Sequence, residues 1–387
     1  MKGLRSRIDY VLKHNPLAQA AYVNAVSLAM RVFGAFVKTD DKLILFSAHG
    51  RGYNDSPRAI YEAMKKDSRF DGYKFVWAVE NPKKANIPGC AVIAPDTPGY
   101  FMTSLKAGYW ITCVNIERGL RYKKKDTRYL NTWHGIPLKT IGNAANGRKD
   151  YDFSHIDFFC CSCEYDKAIY QRDFGVKPQS LIESGLPRND ALYRADGNKV
   201  KAVRDKLSIP DGKKAILYAP TWRDSTDGGM SFTLKPPIDL ELWREKLADD
   251  YVLLVRAHAY TDALDVKGGD GFVRDVSDYP DVNELMIASD ILITDYSSIA
   301  FDYAILLRPI ICFGYDYEEY KKSRGLYLDL DDVMPSGVVR DERTLLARIE
   351  NMDYVAEAQK TRGFKDAFLQ YGSDATRICI NALFGEK

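Results

Sequence analysis

The chain has 387 residues and a mass of 43.9 kDa, which is too long for one ordinary domain and predicts two or three. Apolar residues make up 46% and charged residues 28%. This is the composition of a folded globular protein and excludes wholesale disorder. The formal net charge is only +2, so the overall charge does not favour a nucleic-acid partner.

Positive charge is concentrated at the start of the chain. Residues 1–38 hold six basic residues and one acidic residue, an excess that indicates contact with an anionic surface. Asn15 and Pro16 are typical of a helix start, and apolar residues follow at helical spacing: Tyr22, Val26, Ala29, Phe33 and Phe36. We therefore predict a basic amphipathic helix within residues 1–40, which either contacts a membrane surface or packs on the protein's own core. Polar residues interrupt this segment, so neither a membrane span nor a signal peptide is expected.

From residue 42 onward, short apolar runs alternate with helix-length segments. Six predicted strands occupy the first half: 42–48, 73–79, 109–114, 129–135, 157–162 and 180–185. A polar segment at 195–214 with one short helix leads to five more: 215–221, 251–258, 271–276, 290–297 and 309–314. This alternation predicts an α/β protein with two parallel-sheet domains, residues 41–194 and 195–387, that face a central cleft. The last helix is expected to pack back on the first domain.

The chain has seven cysteines, and three of them lie in the apolar run 160–163. A disulfide framework is typical of short secreted chains, and a zinc site needs a second pair of ligands that is not found. The cysteines are therefore predicted to be reduced and buried in a strand.

Two histidines lie where predicted strands end, one in each half of the chain. His134 follows a strand within the segment TWHGIPLK, and Arg256 and His258 end a strand in the second half. Ligands of open α/β sheets bind outside the carboxyl ends of strands. A histidine there suits a general base, and an arginine suits a phosphoryl group. A lone histidine at a strand end is more often a structural hydrogen-bonding residue. The prediction of a site therefore depends on both histidines, His134 and His258, ending strands.

Three further segments of the second half favour an anion such as a diphosphate: TDYSS at 294–298, YAPTWRD at 218–224 and KSRG at 322–325. Each also has a plain structural interpretation, as a helix cap, a rim salt bridge beside a packed Trp, and a solvated basic turn. The sequence has neither GxxxxGK[ST] nor a complete GxGxxG. No metal and no cofactor are expected.

Together these segments resemble the CDP-glycerol glycerophosphotransferase family, the TagB/TagF-type enzymes of teichoic acid synthesis. The matching segments are NTWHGIPLKTIG, GLPRND, YAPTWRD, ITDYSSIAFDYAILLRPIICF and RGLYLDL. The resemblance runs from about Phe46 to residues 372–384. It implies a GT-B-type fold of two Rossmann-like domains. It also implies transfer of glycerol phosphate from CDP-glycerol to a hydroxyl of a lipid-linked saccharide acceptor, with release of CMP.

The resemblance also implies roles for individual residues. His134 is expected to be the base on the acceptor hydroxyl, and His258 to stabilise the donor phosphates. The other expected donor-binding residues are Thr221, Trp222, Arg223, Arg256, Asp295, Ser297, Ser298, Arg324 and Gly325. The expected acceptor-side residues are Gly135, Lys139 and Asn54. The expected location is the cytoplasmic face of the membrane, with an anionic membrane surface and a CDP-alditol as partners and no nucleic acid.

Two segments depart from the family pattern: Met334-Pro335-Ser336-Gly337, and Ala259-Tyr260 after His258. Both lie near the expected donor site, so a CDP-ribitol-dependent ribitol phosphate transferase is an alternative. A GT-B glycosyltransferase and a non-catalytic scaffold are further alternatives, which the WHG and TDYSS motifs and the two histidines disfavour. The chain is short for polymerising members, which favours a primase-like enzyme.

Overall fold

The computed structural model describes residues 15–145, 151–221, 237–256 and 271–385. Its strands are β1 Asp40–Ser47, β2 Lys74–Ala78, β3 Ala91–Ile93, β4 Ala107–Thr112, β5 Arg128–Asn131, β6 Phe158–Cys161, β7 Leu181–Glu183, β8 Lys214–Ala219, β9 Tyr251–Val255, β10 Val273–Asp275, β11 Ile291–Thr294, β12 Ile310–Phe313 and β13 Val338–Val339. Its helices are α1 Pro16–Ala35, α2 Asp55–Met64, α3 Pro98–Lys106, α4 Glu164–Phe174, α5 Asp190–Tyr193, α6 Gly197–Lys206, α7 Leu240–Leu247, α8 Val282–Ala288, α9 Ile299–Ala304, α10 Tyr317–Arg324, α11 Leu330–Val333, α12 Glu342–Glu350, α13 Tyr354–Phe368 and α14 Ala375–Phe384.

The described strands form two sheets, and every strand pairing in them is parallel. The first has seven strands in the order β3-β2-β1-β4-β5-β6-β7, and the second has six in the order β10-β9-β8-β11-β12-β13. The strand order reverses between β1 and β4 in one sheet and between β8 and β11 in the other. A crevice for ligands opens at the carboxyl ends of strands at such a switch point.

Burial on both faces explains why the central strands are apolar throughout. All five residues of β9 and all four of β11 are buried, because helices cover both sides of a parallel sheet. Each sheet has a core cluster on either face, with Trp77 and Trp110 on opposite faces of the first sheet and Trp243 against the second. The prediction of two parallel-sheet units is therefore confirmed.

All eleven predicted strands overlap an observed strand, and two observed strands were not predicted. The unpredicted strands, β3 and β13, have three and two residues and lie at the edges of their sheets. Strands this short carry too few residues to show a pattern of apolar positions. All seven cysteines are free thiols, as predicted, and Cys160 Sγ lies 3.3 Å from Cys379 Sγ of α14.

Helix α1 begins as the sequence predicts, because Asn15 accepts a hydrogen bond from the Ala18 N–H and Pro16 takes the first position. It packs on the first domain through small residues. The Arg121 N–H donates to Ser27 Oγ, and Gly34 lies directly against Leu105. The predicted apolar stripe faces elsewhere, since Tyr22, Phe33 and Phe36 are exposed. No helix of the described chain is long and apolar enough to cross a membrane.

Helix α14 lies against the first sheet, although it follows the second domain in the chain. Arg128 Nη1 at the start of β5 donates to the Leu383 carbonyl at 2.6 Å, and the Phe384 and Tyr109 rings lie 4.3 Å apart. At the other end of the helix, Asp190 accepts hydrogen bonds from the backbone N–H groups of Ala375 and Thr376. The two sheets are therefore joined by the end of the chain as well as by the connection at 184–213.

Candidate active site

The switch point of the first sheet places two histidines beside each other. His49 follows β1, and His134 follows β5. Their rings are 5.1 Å apart. Cys113, which follows β4 between them, accepts through its carbonyl a hydrogen bond from His134 Nδ1 at 2.8 Å. Because a carbonyl can only accept, the proton is on Nδ1 and the lone pair of His134 is on Nε2.

The surroundings of His134 keep its ring neutral. Burial, helped by the neighbouring His49, lowers the pKa of His134 to about 4, despite the opposing effect of the Cys113 carbonyl. At neutral pH the imidazole is therefore neutral, with its single proton on Nδ1 and a free lone pair on Nε2. This is the state that a general base requires.

The turn that carries His134 has a strained backbone. Trp133 has a φ of +52°, which is unfavourable for a residue with a bulky side chain. Asn131 holds this turn in place, since its Oδ1 accepts from the Trp133 N–H at 2.8 Å and its Nδ2 donates to the Val114 carbonyl. The Trp133 indole packs edge-on against Phe174, with 4.7 Å between ring centroids. Packing of the indole therefore compensates for the backbone conformation that orients His134.

Gly135 brings the His134 turn against the second domain. Its φ is +149°, and a Cβ at this position would overlap Ser298 Oγ. Only glycine fits both the conformation and the close approach. The WHG and TDYSS motifs of the sequence are therefore in direct contact across the domain boundary.

An interdomain cavity of about 360 Å³ lies beside this contact. Both domains line it, the first with His49, Asn54, Asp55, Arg58 and Arg188, and the second with Arg256, Asp281, Ser297, Ser298 and Asp302. The predicted residues Asn54, Arg256, Ser297 and Ser298 are thus brought together. Asn54 Oδ1 is buried and has no hydrogen-bond partner among the described residues.

Arg188 forms an ion-pair bridge between the domains at the wall of this cavity. Its Nη1 donates to both carboxylate oxygens of Asp55 at 2.9 Å, and its Nη2 donates to Asp302 at 2.7 Å. Only 12% of the Arg188 side chain is exposed. Burial alone would raise the pKa of Asp55, but Arg188 holds it below its usual value. Asn189 adds a further hydrogen bond to Asp302 at 2.7 Å.

Arg256 makes a different set of contacts in the same cavity. Its Nη1 donates to the backbone carbonyls of Val276 and Tyr279, at 3.1 and 2.8 Å. Burial lowers the pKa of Arg256, although the guanidinium remains charged at neutral pH. Its described hydrogen bonds are to carbonyls, so its positive charge is available to an anion in the cavity.

Thr221 and Asp295 support the second domain's switch point. Asp295 accepts hydrogen bonds from the Thr221 and Tyr296 N–H groups, at 2.7 and 2.6 Å, and so ties the end of β8 to the turn after β11. Asp295 is buried, and the residues found to line the cavity include neither Asp295 nor Thr221.

Lys139, Arg324 and Gly325 form a second contact between the domains. The Thr140 N–H and hydroxyl donate to the carbonyls of Gly325 and Arg324, and Lys139 pairs with Leu326 in an isolated antiparallel bridge. These three predicted residues are not among those that line the interdomain cavity. Trp222, Arg223 and His258 lie outside the described residues.

Sequence reasoning did not single out Asp55, Arg188 and Asp302. Arg188 and Asp302 occur in segments that matched the family pattern, but the pairing of Arg188 with Asp55 and Asp302 joins positions more than a hundred residues apart. His49, which also follows a predicted strand, was assigned no role from the sequence.

Comparison with known proteins gives the same family along most of the chain. A family model described as CDP-Glycerol:Poly(glycerophosphate) glycerophosphotransferase matches residues 28–382. The chain is 35% identical over 351 residues to the teichoic acid poly(glycerol phosphate) polymerase of Staphylococcus epidermidis, covering 84% of this chain and 48% of the relative. It is 34% identical over 366 residues to the teichoic acid glycerol-phosphate transferase of Staphylococcus aureus, covering 87% and 92%. The chain thus spans about half of the first relative and most of the second.

A solved structure is similar in fold over nearly the whole chain. It is a histidine-to-asparagine variant of the wall teichoic acid polymerase TagF soaked with CDPG, with a TM-score of 0.80 and 31% identity. The match covers 94% of this chain and 96% of that one, and it confirms the GT-B-type arrangement of the two domains. The chain therefore belongs to the CDP-glycerol:poly(glycerophosphate) glycerophosphotransferase family.

Proposed function

We propose that this protein transfers glycerol phosphate from CDP-glycerol to a hydroxyl of a lipid-linked acceptor in the synthesis of teichoic acid or a related polymer, with release of CMP. The observation that carries the proposal is His134, a buried neutral imidazole with its lone pair fixed on Nε2, whose ring lies 5.1 Å from that of His49 at the wall of the interdomain cavity. The two relatives described above act with glycerol phosphate according to their names, which favours CDP-glycerol over CDP-ribitol.

In this mechanism the acceptor hydroxyl loses its proton to His134 Nε2 and attacks the phosphorus bonded to glycerol. The bond from that phosphorus to the CMP oxygen breaks, and CMP leaves with the electron pair. CMP is a good leaving group, so catalysis rests on deprotonating the acceptor and on stabilising negative charge on the transferring phosphoryl group. Arg256 supplies positive charge in the cavity, and Ser297 and Ser298 supply hydroxyl donors. His258, outside the described residues, is a further proposed phosphate ligand.

The proposal is tested by measuring CMP release with CDP-glycerol, CDP-ribitol and a UDP-sugar, each with a lipid-pyrophosphoryl disaccharide acceptor and with the same acceptor carrying one glycerol phosphate. We expect CMP release and a mass increase of one or more glycerol phosphate units with CDP-glycerol alone. Turnover confined to CDP-ribitol would establish the ribitol alternative. UMP or UDP release from the sugar donor would establish a glycosyltransferase instead.

We also propose that the protein works at the cytoplasmic face of the membrane, with α1 contacting anionic lipid. The exposed side chains of Tyr22, Phe33 and Phe36 support this, and 86% of Phe36 is exposed. The basic excess of residues 1–38 adds electrostatic attraction to an anionic surface.

The double variant Phe33→Ser, Phe36→Ser should bind vesicles of anionic lipid several-fold more weakly, because it removes two aromatic side chains from the contact. Val355→Ser is the matched control, since Val355 is 78% exposed on α13 in the second domain. Vesicle co-sedimentation gives the readout. Equal binding by the double variant and the control would contradict the membrane role of α1.

A further inference from the structure

Among the histidines of the described residues, His49 differs because its ring has no hydrogen-bond partner there. His134 Nδ1 donates to the Cys113 carbonyl, and His155 Nε2 bonds to the buried carboxylate of Glu117. The His49 ring is exposed and lines the interdomain cavity, whereas His134 lines a second cavity of about 430 Å³. The two rings lie 5.1 Å apart with an interplanar angle of 37°. An imidazole that the fold does not use thus lies beside the proposed base.

The backbone of His49 is held on both sides, so its ring has a fixed place. The His49 N–H donates to Cys113 Sγ at 3.2 Å, which ties the turn after β1 to the end of β4. Two residues later, Arg51 has a φ of +55°, and its guanidinium binds Glu80 and Asp96 at 2.9 and 2.7 Å. This backbone conformation costs free energy and persists only where the surroundings fix it. None of these contacts depends on the His49 side chain.

The proton that His134 accepts has no stabilising partner on the imidazole. Nδ1–H of His134 meets the neutral carbonyl of Cys113, whereas a carboxylate in this place would stabilise an imidazolium. Burial makes the imidazolium unfavourable, which is why the pKa of His134 is lowered to about 4. His134 must therefore pass the proton on within each catalytic cycle.

The other charged side chains at the wall of the interdomain cavity are paired or cannot accept a proton. The paired ones form two groups, Arg188 with Asp55 and Asp302, and Arg58 with Glu62 and Asp281. Arg256 is a cation at neutral pH and has no lone pair to offer. Burial raises the pKa of the Cys113 thiol, which stays protonated. Of the described groups beside His134, His49 is therefore the one with an uncommitted ring nitrogen.

We propose that His49 is a proton relay, which receives from His134 the proton of the acceptor hydroxyl. This inference rests on the proposed function and adds a residue to it. The proton passes to His134 Nε2 as the bond from the hydroxyl oxygen to phosphorus forms, and then to a ring nitrogen of His49, directly or through one water. From the exposed His49 ring it leaves to solvent. CMP departs mainly as its dianion at neutral pH, so one proton is released for each phosphoryl transfer.

Steady-state kinetics of CMP release give the first test. His49→Asn should lower kcat by about a hundredfold and change the KM for CDP-glycerol by less than about threefold. The variant should fold, because the His49 side chain bonds to no described group and its backbone contact with Cys113 remains. An unchanged kcat would overturn the relay. A raised KM for CDP-glycerol with kcat retained would also overturn it and would assign His49 to donor binding.

Chemical rescue separates a relay from a structural role. His49→Ala leaves an exposed site open to the cavity, so added imidazole should raise its rate of CMP release by about tenfold or more. Arg256→Gln, assayed below its KM for CDP-glycerol, is the matched control, because it removes a basic group from the same cavity but no proton acceptor. Failure of imidazole to rescue His49→Ala, or equal stimulation of both variants, would overturn the inference.

A titration without donor or acceptor tests the coupling of the two rings even if CDP-glycerol proves not to be a substrate. NMR of the histidine rings in the full-length protein should show His49 and His134 titrating as a coupled pair. Because His49 disfavours a second charge beside it, His49→Asn should raise the pKa of His134. Identical titration of His134 in parent and variant would overturn the relay. Absence of CMP release by the parent would instead contradict the proposed function.

Discussion

The two cavities beside His134 use arginine in opposite ways. In the interdomain cavity, Arg188 is fixed between Asp55 and Asp302, and Arg58 pairs with Glu62 and Asp281. In the second cavity, of about 430 Å³ and lined by His134, Arg118 has Asp96 Oδ1 at 3.1 Å from its Nε but outside hydrogen-bonding geometry. An arginine whose donors are satisfied by buried carboxylates holds the fold together, whereas one paired with a single partly exposed carboxylate contributes less to stability. Counting arginines in a cavity therefore does not show where an anion binds.

His134 lies between the two cavities, so its loss should have the largest effect. His134→Asn keeps a side-chain N–H that can donate to the Cys113 carbonyl but removes the base. We expect kcat to fall by about a thousandfold or more, with no decrease in the melting temperature. Steady-state CMP release and thermal unfolding measure the two quantities. Unchanged turnover would exclude His134 as the base.

The comparison of arginines predicts a difference in stability. Arg188→Lys cannot bridge Asp55 and Asp302, and leaves buried carboxylate partly unpaired, so the free energy of unfolding should fall by about 3 kcal/mol. Arg118→Lys should cost less than about 1 kcal/mol, because its carboxylate neighbour Asp96 is 40% exposed and the pair lies outside hydrogen-bonding geometry. Urea unfolding of both variants gives the comparison. If both variants lost the same free energy of unfolding, Arg188 would not be more important to stability than Arg118.

The neutral state of His134 predicts a pH effect on stability. Its pKa is about 4 in the folded protein and near 6.5 when unfolded. Between these values the unfolded chain binds a proton that the folded chain does not, so stability falls as the pH falls through this window. From pH 7 to pH 4.5, the parent should lose about 2 kcal/mol more than His134→Asn, as measured by urea unfolding. Parallel losses would show that His134 is not held neutral by burial.

The smallest expected effect concerns Arg256, which lines the interdomain cavity and whose described hydrogen bonds are to backbone carbonyls. Arg256→Gln should raise the KM for CDP-glycerol by about tenfold and change kcat less, because it removes charge that the bound donor meets. Arg274→Gln is the matched control, since Arg274 donates to the Leu207 carbonyl and does not line the cavity. If Arg274→Gln raised the KM for CDP-glycerol to a similar extent, the rise would come from altered structure around β10 and not from the loss of charge in the cavity.

The sequence predicted the fold better than it predicted the contacts within the site. Strands at the centre of each sheet are continuous apolar runs, and His134 was predicted because it follows such a run. Arg188 was missed because its partners, Asp55 and Asp302, come from distant parts of the chain. Arg118 and Arg121 were missed because they lie in a connecting loop that follows β4 without a recognised motif. Arg118 lies near Asp96 and the Tyr100 ring, and a sequence does not show such pairing in space.

The bridge from Arg188 to Asp302 has a consequence for hybrid enzymes built from this chain and a relative. Both charged groups are buried, and they come from different domains. A chimera that joined one domain to a foreign second domain without a matching carboxylate would bury an uncompensated guanidinium. Gly135 and Ser298, in contact nearby, impose the same condition through shape. The two halves can therefore be exchanged between relatives only when these pairs are exchanged together.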